Sequence, residues 1–183
     1  MPRLYMVRHG RAAAGFGEDA DPGLDSLGRA QAREIGQRLS RQAQSLILSS
    51  PLKRARETAM PLAGLWKREP AIEEAVGEIP SPNLSLAERA AWLRGFMSGS
   101  WRTSPFNLAQ WRESVIAALT AQKEDAVIFS HYVAINVAAG AALGDDRVIV
   151  FSPDNCSVTI FEVEDGALRL IEKGAEAPLT KVN

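Results

Sequence analysis

Residues 4–10, Leu-Tyr-Met-Val-Arg-His-Gly, place a short apolar run directly before two cationic or polarisable side chains and a glycine. The run contains the β-favouring residues Tyr and Val and is typical of a fully buried strand. Because the carboxyl ends of strands in an α/β sheet open into the ligand crevice, we expect Arg8 and His9 to face such a crevice. Gly10 then allows a sharp turn of the backbone. A surface turn with an incidental histidine is the alternative that these residues leave open.

The order of apolar runs and helical patterns along the chain predicts a parallel sheet. A helix capped by Asp25 or Ser26 precedes a second short strand over residues 45–49, and another helix begins near Pro51. Strands that alternate with helices in this way form parallel sheets. The rest of the pattern predicts a loop over residues 11–23, a weak strand over 71–76, a loop over 77–83, helices over 86–98 and 108–122, a strand over 126–130, a helix to Leu143, and strands over 148–151, 157–163 and 168–172, the last two joined at Asp165-Gly166.

Length and composition narrow the classes of function. The chain has 183 residues, 46% of them hydrophobic, which fits one domain with a sizeable core. Its formal net charge of -1 gives no broad basic surface, so we predict neither nucleic acid nor a membrane as a partner. The apolar stretch over residues 126–143 changes from β-branched and aromatic residues to alanine, which indicates a buried strand and helix rather than a membrane span.

The cysteine content and the first residues indicate a cellular compartment. Cys156 is the only cysteine, so no internal disulfide can form, which is compatible with a reducing compartment. Only four apolar residues separate Arg3 from Arg8, too few for the core of a secretion signal. We therefore expect a cytoplasmic protein. We interpret Cys156, in a segment typical of a strand, as a small core residue rather than a nucleophile.

Two histidines, the only ones in the chain, follow two of the predicted strands. His9 ends the first strand and His131 comes directly after residues 126–130. A core histidine bonded to a backbone carbonyl is the commoner role for either one alone, but two at equivalent positions of the topology favour a shared site. Arg54 lies in the first turn of the helix near Pro51, where a cation opposes the helix dipole unless an anion binds there. An exposed arginine is the alternative.

Three motifs occur in one order along the chain. Arg8-His9-Gly10 follows the first strand, Ser-Ser-Pro-Leu-x-Arg-Ala-x-Glu-Thr covers residues 49–58, and Ser130-His131 follows a late strand. Together they resemble the histidine phosphatase superfamily, also called phosphoglycerate mutase-like, over residues 4 to about 163. The resemblance implies a three-layer α/β/α sandwich with a mostly parallel central sheet. It implies a single domain over residues 1–183, with a small helical cap insert at about 75–110 over the active site.

The resemblance also implies a reaction, the metal-independent hydrolysis of a phosphomonoester. His9, neutral and oriented by a backbone hydrogen bond, would attack phosphorus in line and become phosphohistidine, which water then hydrolyses. Arg8, Arg54 and a protonated His131 would bind the charged phosphoryl oxygens. Because these three cations replace a metal ion, we expect no metal and no other cofactor.

A carboxylic acid with a raised pKa would supply the proton that the leaving alkoxide needs. The family carries this acid in the loop after the third strand. Glu78, in Gly-Glu-Ile-Pro, best matches that position, and Glu73 and Glu74 are the alternatives nearby.

Two features depart from the family pattern or bear on the substrate. Tyr132 stands where many members have a glycine after the second histidine, and we predict that it lines the site. Residues 11–15 lack the Trp-Asn pair of the cofactor-dependent mutases, which argues against mutase activity. Trp101, in a Gly/Ser/Pro setting, and its neighbour Arg102 are candidates for substrate contact, whereas Trp92, Phe96 and Trp111 have the helical spacing of core residues.

The leading hypothesis is thus an enzyme that acts on a phosphorylated small molecule. One alternative is a phosphatase of protein phosphohistidine, as in short bacterial members of the family. Another is a non-catalytic regulatory module that binds phosphate, although such relatives usually lack the nucleophile or an arginine, and this chain keeps Arg8, His9, Arg54 and His131. The sequence leaves the physiological substrate and the oligomeric state undetermined.

Overall fold

A computed structural model of the chain describes residues 1–178, and within them six strands form one sheet flanked by five helices. The strands are β1 (Arg3–Arg8), β2 (Leu46–Ser49), β3 (Ala71–Ile72), β4 (Ala126–Ser130), β5 (Val158–Glu164) and β6 (Ala167–Glu172). The helices are α1 (Ser26–Leu39), α2 (Lys53–Trp66), α3 (Leu86–Met97), α4 (Phe106–Thr120) and α5 (Tyr132–Leu143), with single 3-10 turns at Glu74–Val76 and Trp101–Thr103.

The sheet is mostly parallel, as predicted. Its order is β3-β2-β4-β1-β5-β6, in which β3, β2, β4 and β1 run parallel to one another. β5 pairs with β1 in the antiparallel direction, and β6 pairs with β5 in the antiparallel direction. Side chains alternate between the two faces, because successive residues of a strand point to opposite sides. Leu4 and Met6 pack with α4 and α5 on one face, whereas Val7 and Phe129 pack with α1 and α2 on the other. The predicted three-layer architecture is therefore confirmed.

Two glycines allow the chain that leaves β1 to pass close to the start of α1. A Cβ atom on Gly28 would lie 2.1 Å from the carbonyl oxygen of Arg11, and one on Gly10 would lie 2.6 Å from the carbonyl oxygen of Gly28. Both distances are too short for any residue with a side chain. Asp25 caps the helix by accepting a hydrogen bond from the backbone N–H of Gly28 at 2.7 Å. This close crossing sets the position of the residues that follow β1.

The block over residues 49–58 holds the same region from the side of α2. The hydroxyl of Thr58 accepts the backbone N–H of Gly10 at 3.0 Å and donates to the carbonyl oxygen of Arg54 at 2.6 Å. The carboxylate of Glu57 accepts the backbone N–H of Leu24 at 2.6 Å. Motif residues that do not face the site therefore fix the loop that lies over the end of β1.

Several predicted elements differ from the structure. Residues 148–151 are not a strand, because the side-chain oxygen of Asn136 accepts the backbone N–H groups of Val150 and Phe151 at 2.7 and 3.0 Å in place of a sheet partner. The predicted weak strand over residues 71–76 is limited to the two residues of β3, and a 3-10 turn follows. Cys156 lies in a turn with φ +55° rather than in a strand.

Cys156 has the chemistry of an unreactive thiol. Burial raises its pKa to about 12, so that very little thiolate forms at neutral pH. The apolar stretch over residues 126–143 consists of β4 and α5, in agreement with the prediction of a strand and a helix. None of the helices within residues 1–178 has the length and apolar character needed to cross a bilayer.

Candidate active site

The pairing of β1 with β4 brings the two histidines together. The two strands are parallel neighbours in which Arg8 lies opposite Ser130, so His9 and His131 follow them at equivalent positions. The backbone N–H of His9 donates to the carbonyl oxygen of Ser130 at 3.0 Å, and the two imidazole rings lie 5.2 Å apart between centroids. Both rings are buried, at the edge of the sheet where parallel strands end.

Hydrogen bonds orient the ring of His9 and indicate its tautomer. Its Nδ1 lies 2.7 Å from the carbonyl oxygen of Gly10, to which it donates. The Nε group of Arg54 donates to Nε2 of His9 at 3.2 Å, so Nε2 carries the lone pair. Burial, with Arg54 and Arg8 nearby, holds the pKa of His9 well below its usual value. His9 is therefore neutral at neutral pH and presents an unprotonated nitrogen to the site.

Two buried guanidinium groups flank His9. Arg8 donates from a terminal nitrogen to the carbonyl oxygen of Pro153 at 2.9 Å, and its guanidinium lies 5.0 Å from the centroid of the Tyr132 ring. Arg54, in the first turn of α2, lies 3.5 Å from a carboxylate oxygen of Glu78. Both arginines are almost fully buried. Positive charge is thus concentrated around Nε2 of His9.

Glu78 approaches the site from the loop that follows β3. One carboxylate oxygen accepts the backbone N–H of Ile79 at 2.9 Å, and the other lies 3.7 Å from Nδ1 of His131. Burial raises the pKa of Glu78 above its usual value, while Arg54, the N–H of Ile79 and Arg8 oppose the rise. The hydroxyl of Ser130 donates to the carbonyl oxygen of Val76 at 2.7 Å and ties this loop to β4.

The two alternatives to Glu78 lie elsewhere. Glu73 accepts the backbone N–H of Ala75 at 3.1 Å and thereby caps the 3-10 turn. Glu74 is exposed to solvent. Neither lines the cavity in front of His9, whereas Glu78 does.

His131 lies within hydrogen-bond distance of a serine. The hydroxyl oxygen of Ser50 lies 2.7 Å from Nε2 of His131 and accepts the backbone N–H of Leu52 at 3.2 Å. A hydroxyl that donates to Nε2 leaves the ring proton on Nδ1, which lies beside Glu78 and has no hydrogen-bond partner among the described residues. Burial, with Arg54 and His9 nearby, holds the pKa of His131 well below its usual value.

The predicted protonation of His131 concerns the site with a phosphoryl group bound, and it stays a prediction. In the protein by itself burial favours the neutral ring. A neutral ring with its proton on Nδ1 can still donate a hydrogen bond to an anionic oxygen. A phosphoryl dianion beside the ring would favour protonation and so act against the effect of burial.

A cavity opens in front of His9, and its walls come from three parts of the chain. Arg8, His9, Arg54 and Glu78 line one end. The walls are mostly apolar and come from residues 11–23, from α3 and from the start of α5: Ala12, Ala14, Phe16, Ala20, Pro22, Leu93, Met97, Tyr132 and Val133, with Asp19 as the one acidic side chain among them. Tyr132 therefore faces the cavity, and its hydroxyl lies 2.9 Å from that of Ser152.

A family model described as the histidine phosphatase superfamily (branch 1) matches residues 4–175. The chain belongs to this superfamily. Solved structures of similar fold include phosphoserine phosphatase of Entamoeba histolytica in complex with 3-phosphoglyceric acid, with 25% identity, a TM-score of 0.76 and coverage of 96% of this chain and 98% of that one. They also include mycobacterial glucosyl-3-phosphoglycerate phosphatase, with 20% identity, a TM-score of 0.74 and coverage of 97% and 99%. No curated protein sequence matches the chain.

The two residues predicted to contact substrate, Trp101 and Arg102, do not line the cavity of this histidine phosphatase. Trp101 is buried with its ring 5.5 Å from that of Phe96 and 6.2 Å from that of Trp111, so it belongs to the core. Arg102 is exposed, and its backbone N–H donates to the carboxylate of Asp146. The Gly/Ser/Pro setting that suggested substrate contact contains a short 3-10 turn, in which Trp101 is buried.

Two polar residues of the histidine phosphatase site were not singled out from the sequence. Ser50 directly follows β2 and lies within the block over residues 49–58. Its position at the end of a parallel strand could have placed it at the site, as it did for His9 and His131. Asn155 donates from its side chain to the carbonyl oxygen of His9 at 3.0 Å, and no sequence pattern marks it.

Among residues 1–178, no group of three or more His, Cys, Asp and Glu side chains is arranged to hold a metal ion.

Proposed function

We propose that this histidine phosphatase, a phosphoric monoester hydrolase, acts through a phosphohistidine on His9 and needs no metal ion. The observation that carries the proposal is the state of His9, which is neutral, lines the cavity between buried guanidinium groups, and has an unprotonated Nε2 that accepts a hydrogen bond from Arg54. A nucleophile of this kind needs no base to activate it, because its ring proton is held on the opposite nitrogen by Gly10.

The first step of the proposed reaction transfers the phosphoryl group to the enzyme. Nε2 of His9 attacks phosphorus in line, a nitrogen–phosphorus bond forms, and the bond from phosphorus to the ester oxygen breaks. Arg8, Arg54 and the Nδ1 group of His131 bind the equatorial oxygens and stabilise the charge that they carry in the transition state. Glu78 in its acid form gives a proton to the leaving oxygen, so that an alcohol departs.

The second step returns the enzyme to its starting state. The carboxylate of Glu78 accepts a proton from a water molecule as that water attacks phosphorus and the nitrogen–phosphorus bond breaks. Inorganic phosphate then leaves, Nε2 of His9 regains its lone pair and Glu78 is again an acid. The same side chain serves as acid and then as base, which its raised pKa favours.

Turnover of p-nitrophenyl phosphate in the presence of EDTA tests the absence of a metal requirement. Because the protein's own cations stabilise the phosphoryl oxygens, we expect kcat to remain within about twofold of its value without chelator, as for a reaction with no Lewis acid to remove. Loss of activity in EDTA that added Mg²⁺ or Zn²⁺ restores would contradict the proposal.

We further propose that the substrate is a phosphorylated small molecule and that the protein works in the cytoplasm. Leu93 and Met97 of α3 line the cavity, together with Phe16 of the loop after β1, and such walls favour a small leaving group over a folded protein. The relatives named above act on phosphoserine and on glucosyl-3-phosphoglycerate. The cytoplasmic location rests on the single cysteine.

Ser50→Ala should lower kcat about three- to tenfold, as expected for the loss of one orienting hydrogen bond. Without the hydroxyl, Nε2 of His131 has no donor, so the ring populates the wrong tautomer part of the time. Nitrogen NMR shifts of His131 report the tautomer and should change in this variant. Ser49→Ala is the matched control, because the neighbouring buried hydroxyl bonds only the carbonyl oxygen of Ser50. Equal losses in both variants, with His131 shifts unchanged, would show that Ser50 has only a structural role.

A further inference from the structure

Arg89 of α3 is held over the loop that follows β1. Its guanidinium lies 4.4 Å from the centroid of the Phe16 ring, a cation–π contact that fixes its orientation. The same loop touches α3 at Gly17, where a Cβ atom would lie 2.9 Å from the carbonyl oxygen of Leu86. The arginine is therefore positioned by packing, and its direction does not depend on a charged partner.

A second cavity leads from the active site to this arginine. Both cavities are lined by Phe16, Ala20, Arg54 and Glu78. The first continues along the apolar side chains of Leu93, Met97 and Val133. The second is also lined by Ile79, Pro80, Ser81 and Arg89. Because Glu78 borders the second cavity, a group attached to the oxygen that Glu78 protonates can extend toward Arg89.

The positive charge of Arg89 is not neutralised by the protein. Among residues 1–178 no carboxylate forms an ion pair with it, and its Nε group is buried without a hydrogen-bond partner. The adjacent Glu88 accepts instead from the backbone and the hydroxyl of Ser85. A buried donor on a cation is costly when unpaired, and a guanidinium pairs best with a planar carboxylate or a phosphate.

The two cavities differ in the charge that they favour. Asp19 lines the first and would repel an anion there, whereas the second has Arg89 and no acidic side chain beyond Glu78 among the described residues. An anionic group on the leaving side of the substrate is therefore directed to the second cavity. Arg8 and Arg54 do not serve this purpose, since they face the phosphoryl group.

We propose that Arg89 binds a carboxylate carried by the leaving group, so that the substrate is a small phosphomonoester with a second anionic group near its ester oxygen. The inference rests on the proposed function and names the substrate class of that same site. The bond is a charge-assisted one between the guanidinium and two carboxylate oxygens. It discriminates among phosphomonoesters and leaves the transfer of the phosphoryl group to the residues around His9.

Matched pairs of substrates test this assignment. Glycerol 3-phosphate carries a neutral hydroxymethyl group where 3-phosphoglycerate carries a carboxylate, and phosphoethanolamine carries hydrogen where phosphoserine carries a carboxylate. For each pair the ratio of kcat/KM values, carboxylated over uncarboxylated, measures the contribution of the anion. Arg89→Ala should lower this ratio about 10- to 100-fold, mainly through KM, as the loss of a charge-assisted pair implies. Arg89→Lys should lower it less, because lysine keeps the charge and loses the fork.

Arg94→Ala is the matched control, since it removes the same charge from an exposed position of the same helix. Arg94→Ala should leave the ratio of kcat/KM values unchanged. If the ratio fell equally in both variants, Arg89 would act only through its general positive charge, and the assignment would be wrong. A wild-type ratio near one would overturn it too. A propanediol bisphosphate tests whether Arg89 binds a second phosphoryl group instead of a carboxylate. If the enzyme preferred it to 3-phosphoglycerate and phosphoserine, and if that preference depended on Arg89, the assignment of a carboxylate would be wrong. Failure of the proposed function itself looks different, as p-nitrophenyl phosphate would then show no hydrolysis that depends on His9.

Discussion

His9→Ala is expected to lower kcat for p-nitrophenyl phosphate by about 10⁴-fold or more, the scale typical of the loss of a covalent nucleophile. Alanine has no nitrogen to attack phosphorus, and Nε2 of the neighbouring His131 is engaged by the hydroxyl of Ser50. The measurement is steady-state release of p-nitrophenolate. Rapid quenching of the wild-type enzyme in alkali, followed by intact mass, should show one added phosphoryl group that the variant lacks.

Binding of inorganic phosphate serves as the control for this variant. Arg8, Arg54 and His131 remain, so His9→Ala should still bind the anion while it no longer turns over substrate. Loss of both properties together with a lower melting temperature would point to a folding defect. If the variant kept a tenth of the wild-type kcat, or carried the phosphoryl group at another residue, His9 would not be the nucleophile.

The sequence predicted the parts of the fold that depend on short-range pattern. β1, β2 and β4 were recognisable because a central parallel strand is buried on both faces and is therefore apolar throughout. The hairpin between β5 and β6 followed from Asp165-Gly166, whose φ values of +50° and +77° match a tight turn with two left-handed residues. The meeting of His9 with His131 followed from topology alone, since parallel neighbours end at the same edge of the sheet.

The sequence did not predict contacts that depend on one side chain reaching across the fold. Asn136 replaces a sheet partner for residues 148–151, and an apolar pattern gives no sign of such a contact. The Ser50 hydroxyl and His131 are 81 positions apart in the chain and meet only because β2 and β4 are adjacent. The lowered pKa of His131 could not be predicted from the sequence either, because the burial that causes it is a property of the packed structure.

The charged groups of the site are of two kinds, those with a permanent charge and one whose charge can change during the reaction. Arg8 and Arg54 are buried and permanently charged, and together with burial, which is the larger cause, they lower the pKa of both histidines, so that Nε2 of His9 is unprotonated. Glu78 is the group whose charge can change during the reaction, because burial has raised its pKa toward the working range. Removal of the changeable group should therefore affect only steps in which a proton moves.

Glu78→Gln should lower kcat for an alkyl phosphate such as glycerol 3-phosphate roughly 10²- to 10⁴-fold, the range of general acid catalysis. An alkoxide is a poor leaving group without a proton, and glutamine cannot supply one. The loss should be far smaller for formation of the phosphoenzyme from p-nitrophenyl phosphate, because p-nitrophenolate leaves unprotonated. Burst kinetics separate that step from hydrolysis. Glu73→Gln is the matched control, since its amide oxygen can still cap the 3-10 turn and the side chain lies outside the cavity.

The role of Glu78 as an acid also predicts the direction in which activity changes with pH. The acid form of Glu78 exists below its pKa, which burial raises, so kcat/KM for the alkyl phosphate, which reports the free enzyme, should fall as pH rises through that value. Protonation of His9 stops attack, but its pKa is held well below 6.5, so the acidic limb should lie well below that pH. Glu78→Gln should remove the basic limb and keep the acidic one. A basic limb that survived in this variant, or that disappeared in Glu73→Gln or Glu74→Gln instead, would assign the acid to another carboxylate.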